Sequence, residues 1–133
     1  MQLNILKPIT KSGTSDQTSP VTLAVQELSL RKAADIKAWD ASGVLEYADY
    51  IILAEGNSLN HCRALASYVC TLLKKNNLPK IGGGVKQEKS PWIVLDFGFV
   101  VIHIVNQELR QYYALDELFN TCRLIPIEQH HKF

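Results

Sequence analysis

The sequence lacks a charge excess of either sign and any long apolar run. Its 133 residues carry 14 lysines and arginines against 13 aspartates and glutamates, which leaves a formal net charge of +1. A nearly neutral chain has no overall field that would gather nucleic acid or a membrane surface, so electrostatic recognition must be local. No apolar stretch approaches the roughly 18 residues of a membrane-spanning helix, which disfavours a membrane protein.

The sequence also lacks a paired set of cysteines and the spacing of a metal site. Cys62, Cys70 and Cys122 are odd in number and form no CxxC motif. We expect these cysteines to stay reduced and to behave as small apolar residues in a reducing compartment. The adjacent His130 and His131 have no further ligands beside them. We expect no metal, no cofactor and a bacterial cytoplasmic location, with an organellar presequence less favoured because the first twenty residues contain no arginine.

Length and hydrophobic periodicity predict one α/β domain with a mixed β-sheet flanked by helices, in the order α-β-β-α-β-β-α. Residues 1–19 are expected to form a flexible N-terminal arm, residues 20–122 the domain and residues 123–133 a C-terminal tail. The predicted helices cover residues 20–33, 59–76 and 108–119, and the predicted strands cover residues 36–39, 50–54, 93–95 and 100–105. The glycine-rich segment 82–91 is expected to be a flexible connection.

The segment from Trp92 to Val105 is typical of a β-hairpin with one aliphatic face and one mixed face. If Phe97 and Gly98 are the two turn residues, Trp92 lies opposite His103, because hairpin register follows loop length. Alternation of side chains then places on the mixed face Trp92, Val94, Asp96, Phe99, Val101 and His103. Aromatic side chains with a few polar groups are typical of a protein interface. We therefore expect this face to bind a macromolecular partner.

Two alternatives stay open for this face. A third helix that packs over it would make Trp92 part of the core. The register is also conditional, since the assumed turn asks the bulky Phe97 to adopt a positive φ. A slip of one residue would exchange the two faces.

The sequence contains fragments of catalytic motifs but no complete one. Asp96-Phe97-Gly98 copies the metal-binding tripeptide of protein kinases, yet the kinase glycine-rich loop, strand lysine and catalytic loop are missing. Gly82-Gly83-Gly84 is not followed by GK[ST] and is interpreted as a linker. His61 is interpreted as a solvated or capping residue, and Asp116 and Glu117 as charges on a helix surface. We expect no enzymatic activity.

Charge is distributed unevenly along the chain. Between Lys37 and Arg63 the sequence carries four acidic residues and no basic one, namely Asp40, Glu46, Asp49 and Glu55. A locally acidic surface beside an apolar patch favours a basic partner such as a ribosomal protein.

Five motifs follow one another between residues 21 and 119: Ala48-Asp49-Tyr50, Gly56-Asn57-Ser58, Trp92-Ile93-Val94-Leu95-Asp96-Phe97-Gly98, Val100-Val101-Ile102-His103 and Tyr113-Ala114-Leu115. Together they resemble the ribosomal silencing factor family (RsfS, also called iojap). The hairpin is the most specific part, because the family pattern reads W, three hydrophobic residues, D, an aromatic residue or Leu, G-D-V, a hydrophobic residue and V-H. The family's next motif, R-x-x-Y-x-L-E-x-L-W, stands here as Arg110, Tyr113, Leu115, Asp116 and Leu118-Phe119.

The resemblance implies a fold similar to nucleotidyltransferases without their catalytic carboxylates. It also implies binding of the large ribosomal subunit at its L-fourteen protein, which blocks joining of the small subunit and represses translation when nutrients are scarce. Trp92, Asp96, Gly98 and His103 match the family motif. The residues expected to bind the partner are Trp92, Val94, Asp96, Phe97, Gly98, Phe99, Val101, His103 and Tyr113.

The sequence departs from the family pattern at three places. Phe99 replaces an Asp, residues 82–86 replace an acidic G-V-E-G stretch, and Phe119 replaces a Trp. The first two changes remove negative charge, so we expect a more apolar contact. Two other hypotheses remain, a self-associating module that pairs two copies through the same face and an enzyme that acts on nucleotides. The resemblance leaves room for a homodimer away from the ribosome and a minor contact with ribosomal RNA, and no membrane partner is expected.

Overall fold

Residues 19–85 and 92–127, the parts of the chain that the computed structural model describes, form four helices and six strands. The elements are α1 (Pro20–Leu30), β1 (Ala34–Asp40), β2 (Tyr50–Glu55), α2 (Leu59–Lys75), β3 (Gly82–Val85), β4 (Ile93–Asp96), β5 (Val100–Val105), α3 (Gln107–Tyr112), α4 (Leu115–Leu118) and β6 (Arg123–Ile125). The strands form one mixed sheet in the order β3-β4-β5-β2-β1-β6, in which β2 and β5 run parallel and the other neighbours antiparallel. The predicted mixed α/β architecture is confirmed.

The helices α1 and α2 begin at capping hydroxyl groups. The side-chain oxygen of Ser19 accepts hydrogen bonds from the N–H groups of Val21 and Thr22, and Pro20 follows at the first helical position, where its missing N–H has no cost. Ser58 accepts from the N–H of His61 at the start of α2. The buried residues of α2 recur at helical spacing and form one stripe, Cys62, Leu65, Val69 and Leu73. The buried residues of α1 and α2 pack against the same face of the sheet.

The two faces of the sheet carry separate apolar clusters. The side chains of Leu28, Leu65, Ile52 and Ile102 belong to the cluster beneath α1 and α2. The opposite face has a smaller cluster around Trp39, Ile51, Leu53, Val101, Leu115 and Phe119. The chain therefore forms three layers, with α3 and α4 on the side of the sheet opposite α1 and α2.

Three parts of the chain differ from the prediction. The first four residues of the glycine-rich segment form strand β3 rather than a flexible connection, and this strand pairs with β4, whereas residues 86–91 lie outside the described residues. The predicted helix 108–119 is divided into α3 and α4, because Ala114 adopts a left-handed φ of 49°. Strand β6 pairs with β1 and lies beyond residue 122, where the predicted domain ends. Residues 1–18 of the expected arm and residues 128–133, which include His130 and His131, lie outside the described residues.

None of the helices in the described parts of the chain is both long enough and apolar enough to cross a membrane.

Candidate partner-binding surface

The hairpin of β4 and β5 turns one residue later than predicted. Phe97 and Val100 pair through a 3.0 Å hydrogen bond from the N–H of Phe97, so Gly98 and Phe99 are the two turn residues. Gly98 has a φ of 93°, and a positive φ at the first central position is the pattern of a type II′ turn. The carboxylate of Asp96 accepts the N–H of Gly98 at 2.8 Å and holds the turn closed.

The register is consequently shifted by two residues. Val94 lies opposite His103 and Asp96 opposite Val101, so the prediction that Trp92 lies directly opposite His103 is wrong. Since side chains alternate with period two, a shift of two residues leaves every strand residue on its predicted face. The mixed face of the hairpin is therefore preserved.

An aromatic surface stands on that face near one edge of the sheet, and we define it as Trp92, Val94, His103, Tyr112 and Tyr113. The indole N–H of Trp92 donates to Nδ1 of His103 at 3.3 Å. The rings of Trp92 and Tyr113 have centroids 5.3 Å apart, and those of Tyr112 and Tyr113 are 4.8 Å apart in an edge-to-face arrangement. These separations are in the range where aromatic pairs attract one another.

The aromatic surface continues into the core. The ring of His103 lies 5.6 Å from Phe119, which in turn lies 5.3 Å from Trp39. Phe119 and Trp39 are buried, whereas Tyr113 is exposed to solvent. The C-terminal helices therefore cover only part of this face, and not all of it as the alternative required. Trp92, Val94 and His103 stay partly exposed, Tyr113 is 50% exposed and Tyr112 is 81% exposed.

The structure sorts the other predicted site residues into three groups. Val101 is buried below the aromatic surface, and Asp96 and Gly98 form the turn at the end of the hairpin. Phe97 and Phe99 were expected to bind the partner, but both pack with the cluster beneath α1 and α2 on the other side of the sheet. The shifted turn explains Phe99, which occupies a turn position rather than a strand position. Phe97 follows the alternation that places Ile93 and Leu95 on the aliphatic face. Sequence reasoning missed Tyr112, whose only signal is its place beside Tyr113 at the end of a helix.

Arg110 fastens α3 and α4 to the sheet. Its side chain is 4% exposed, and its Nε and Nη2 donate to the two carboxylate oxygens of Asp116 at 2.7 and 3.0 Å. Nη1 donates to the carbonyl oxygen of Asp35 at 2.7 Å and to Oε2 of Glu55 at 3.1 Å. The ammonium group of Lys37 lies 2.7 Å from the same Asp116. This network links α3, α4, β1 and β2, and thereby positions the two tyrosines that end α3.

The network shifts the acidity of its members in opposite directions. The hydrogen bond from Arg110, joined by Lys37, lowers the pKa of Asp116 to about 2. Burial raises the pKa of Glu55, because the loss of water outweighs the attraction of Arg110. Burial opposes the charge of Arg110, but the carboxylates of Asp116, Asp35 and Glu55 together raise the pKa of its guanidinium. Asp116 was interpreted from the sequence as a charge on a helix surface. The structure shows that it is an ion-pair residue of this network.

The arrangement offers little for catalysis. Asp35, Glu55 and Asp116 converge, but the guanidinium of Arg110 occupies the centre between them. Across residues 19–85 and 92–127, no group of three His, Cys, Asp or Glu side chains is arranged to hold a metal ion. His61 is a cap: Nδ1 accepts the N–H of Asn57 at 2.9 Å, and Nε2 lies 2.9 Å from the carbonyl oxygen of Arg31.

Half of the acidic segment is neutralised within the fold. Asp40 pairs with Arg123 at 3.0 Å, and Glu55 belongs to the Arg110 network. Glu46 and Asp49 are exposed in the connection between β1 and β2. Part of the predicted acidic character therefore remains at the surface, on the loop that follows β1.

Comparison with known proteins identifies relatives along most of the chain. The family model described as "Ribosomal silencing factor during starvation" matches residues 14–132. The ribosomal silencing factor RsfS of Bacillus subtilis is 28% identical over 117 residues, which are 85% of this chain and 95% of that protein. The RsfS of Chromobacterium violaceum is 32% identical over 97 residues, 73% of this chain and 79% of the relative. A mouse relative, "Mitochondrial assembly of ribosomal large subunit protein 1", is 28% identical over 104 residues, 74% of this chain but 44% of its own length.

Solved structures show the same fold. A crystal structure of a Chromobacterium violaceum protein superposes with a TM-score of 0.71 at 29% identity and covers 76% of this chain and 83% of that one. A Bacillus halodurans structure at 22% identity has a TM-score of 0.67 over 80% of this chain and 96% of its own. The hairpin with Trp92 and His103, the match over residues 14–132 and the shared fold agree, and this chain belongs to the ribosomal silencing factor family.

Proposed function

We propose that the protein binds the large ribosomal subunit at its L-fourteen protein through the aromatic surface. Bound there, its volume prevents the small subunit from joining and so represses translation. The observation that carries the proposal is the exposed cluster of Trp92, Tyr112 and Tyr113 beside His103. Membership of the family supports the ribosome as the partner.

The physical character of the aromatic surface suits a protein partner. The Tyr112 residue is 81% exposed and Tyr113 is 50% exposed, and each ring contacts another aromatic ring of the surface. Tryptophan and tyrosine are enriched among interface residues whose removal costs most binding energy, since they bring a large area and lose few rotamers. Phe99 was expected to make the contact more apolar, but its side chain packs with the cluster on the other side of the sheet, so we propose no role for it in the contact.

Steric exclusion requires no chemistry on the bound subunit. The aromatic surface contains no nucleophile with a base beside it, and its imidazole accepts the N–H of Trp92. We accordingly propose a binding protein and not an enzyme. Relatives include bacterial and mitochondrial proteins, and we propose the bacterial cytoplasm as the location.

Sedimentation and subunit joining test this proposal. The protein should travel with purified large subunits through a sucrose gradient, and it should slow the light-scattering increase when small subunits are added. A gradient in which the protein stays at the top, with joining unchanged, would overturn the proposal.

Self-association through the same surface is the second candidate, because an exposed apolar patch can be covered by a second copy. Light scattering at increasing protein concentration should then show a dimer that Tyr112→Ala weakens. A dimer that large subunits dissociate would mean that both partners compete for the aromatic surface. A wild-type protein that stays monomeric would exclude this candidate.

A further inference from the structure

The basic residues of the described chain divide into two groups by their partners. Four of them pair with carboxylates, namely Arg31, Lys37, Arg110 and Arg123. The others, Lys32, Arg63, Lys74, Lys75 and Lys80, make no ion pair with any carboxylate in the described parts of the chain. All five belong to the layer of α1 and α2 or the segment that follows it, on the side of the sheet away from the aromatic surface.

Four of these cations form a basic face, which we define as Arg63, Lys74, Lys75 and Lys80. All four are exposed. Arg63 and Lys74 are eleven residues apart, so they lie on one side of α2 about three turns and roughly 16 Å from each other. Burial raises the pKa of the Cys70 thiol, and the charge of Lys80 opposes that rise, so Lys80 lies near α2.

The basic face has no opposing charge within its own stretch of sequence. No Asp or Glu stands between Glu55 and Glu88, whereas five lysines and arginines do. The exposed residues between Arg63 and Lys74 on α2 are Ala64, Ser67, Tyr68 and Thr71. A nearly neutral protein thus concentrates, along α2 and the segment after it, positive charge that has no ion-pair partner among the described residues.

We propose that the basic face binds the phosphate backbone of RNA. Unpaired lysine and arginine side chains that follow one helix match a line of phosphates, and hydroxyl and amide side chains add hydrogen-bond donors. A membrane surface fits less well, because that occupant requires a row of large apolar side chains on the same face to enter the lipid. The outer side of α2 has Tyr68, and its ring is stacked under the guanidinium of Arg31 at 3.7 Å.

RNA affinity of this face is independent of the proposed function. A role in holding the protein on ribosomal RNA, while the aromatic surface holds a ribosomal protein, rests on the proposed function. Since the two surfaces lie on opposite sides of the sheet, variants can remove one contact and leave the other.

Fluorescence anisotropy with a labelled RNA hairpin tests the proposal. Wild type should bind, with affinity that falls as salt rises and that is similar for hairpins of different sequence, because phosphates carry no sequence information. Lys74→Gln/Lys75→Gln should weaken binding on the order of tenfold at low salt and reduce the slope of log K against log salt by about 2. Lys74→Arg/Lys75→Arg should bind like wild type.

Two controls separate this site from other contacts. Arg123→Gln also removes one exposed positive charge, but at the far edge of the sheet, and should leave RNA binding unchanged while Lys74→Gln alone weakens it. Tyr112→Ala should keep RNA binding even though it weakens the binding of large subunits. Failure of wild type to bind RNA at low salt would overturn the proposal, as would equal losses in Lys74→Gln and Arg123→Gln. Binding to phosphatidylserine vesicles in preference to RNA would also overturn it.

Discussion

The indole N–H of Trp92 donates to Nδ1 of His103 at 3.3 Å, although the two residues are not opposite each other in the sheet. Val94 occupies the position opposite His103, and Trp92 reaches the imidazole diagonally from the residue before β4. Because Nδ1 accepts this bond, it carries no proton in this arrangement. The contact fixes the indole between His103 and the ring of Tyr113.

Removal of the Trp92 donor should lower stability modestly. Trp92→Phe keeps an aromatic ring near Tyr113 and loses the N–H, so the free energy of unfolding should fall by about 1 kcal/mol. In a double-mutant cycle with His103→Leu, urea unfolding should give a coupling energy of about 0.5–1.5 kcal/mol. Strictly additive losses would show that the hydrogen bond contributes nothing to stability.

Loss of Arg110 should be far more costly than loss of a surface ion pair. Arg110→Met leaves the partly buried Glu55 without its cation and Asp116 with Lys37 alone, and we expect the free energy of unfolding to fall by about 3 kcal/mol. Arg123→Met is the matched control, since the Arg123 side chain is 68% exposed in its pair with Asp40. That change should cost about 0–1 kcal/mol. Similar losses in the two variants, measured by urea unfolding, would contradict a structural role for the buried network.

Acid should weaken the Arg110 network through Asp116. The pKa of this carboxyl is about 2 in the folded chain and 3.8 ordinarily, so its contribution to stability is complete above pH 4 and is lost as the pH falls toward 2. Glu55 has a raised pKa and acts in the opposite sense, because protonation of its carboxylate as the pH falls relieves the cost of burying that charge.

Thermal unfolding of Asp116→Asn across that pH range measures the first effect. The variant should be less stable than wild type at neutral pH, and the difference should shrink between pH 4 and pH 2. A difference in stability that stays constant with pH would exclude Asp116 as its source.

Strand β3 should depend on one of its glycines. A Cβ at position 83 would collide with the carbonyl oxygen of Val94, and Gly83 has a φ of 95°, whereas a Cβ at Gly82 would meet Asp96 at an ordinary 3.8 Å. Gly83→Ala should therefore cost roughly 2 kcal/mol or more and loosen β3, while Gly82→Ala should cost less than about 1 kcal/mol. Hydrogen exchange of the β3 amides distinguishes the two variants, and equal protection in both would contradict the close approach.

Periodicity predicted what depends on local pattern. The stripe of α2 and the alternation of Val100–Val105 are properties of neighbouring residues, and the structure confirms both elements. The strand residues of the mixed face were predicted correctly although the register was wrong, because the error in register was two residues and not one. Its physical cause is the turn, where the glycine and not the phenylalanine takes the positive φ.

Features that depend on distant residues escaped prediction. Arg110 contacts Asp35 and Glu55, which are 75 and 55 residues away, and nothing in the local sequence marks that meeting. Strand β3 is rich in glycine, which is depleted in strands, and the left-handed Ala114 breaks a helix although alanine favours helices. For β3, pairing with β4 overrides the local preference.

Affinity for large ribosomal subunits, compared among three variants, tests the central claim most directly. Trp92→Ala should weaken binding about 30-fold, as expected for an aromatic at the centre of an interface, and Tyr112→Ala, exposed and harmless to the fold, by about 5- to 10-fold. Leu30→Ala is the matched control, because Leu30 is 68% exposed on the other side of the sheet, and it should bind like wild type. If Tyr112→Ala and Trp92→Ala, shown to be folded, bind large subunits as tightly as Leu30→Ala, the aromatic surface is not the ribosome-binding surface.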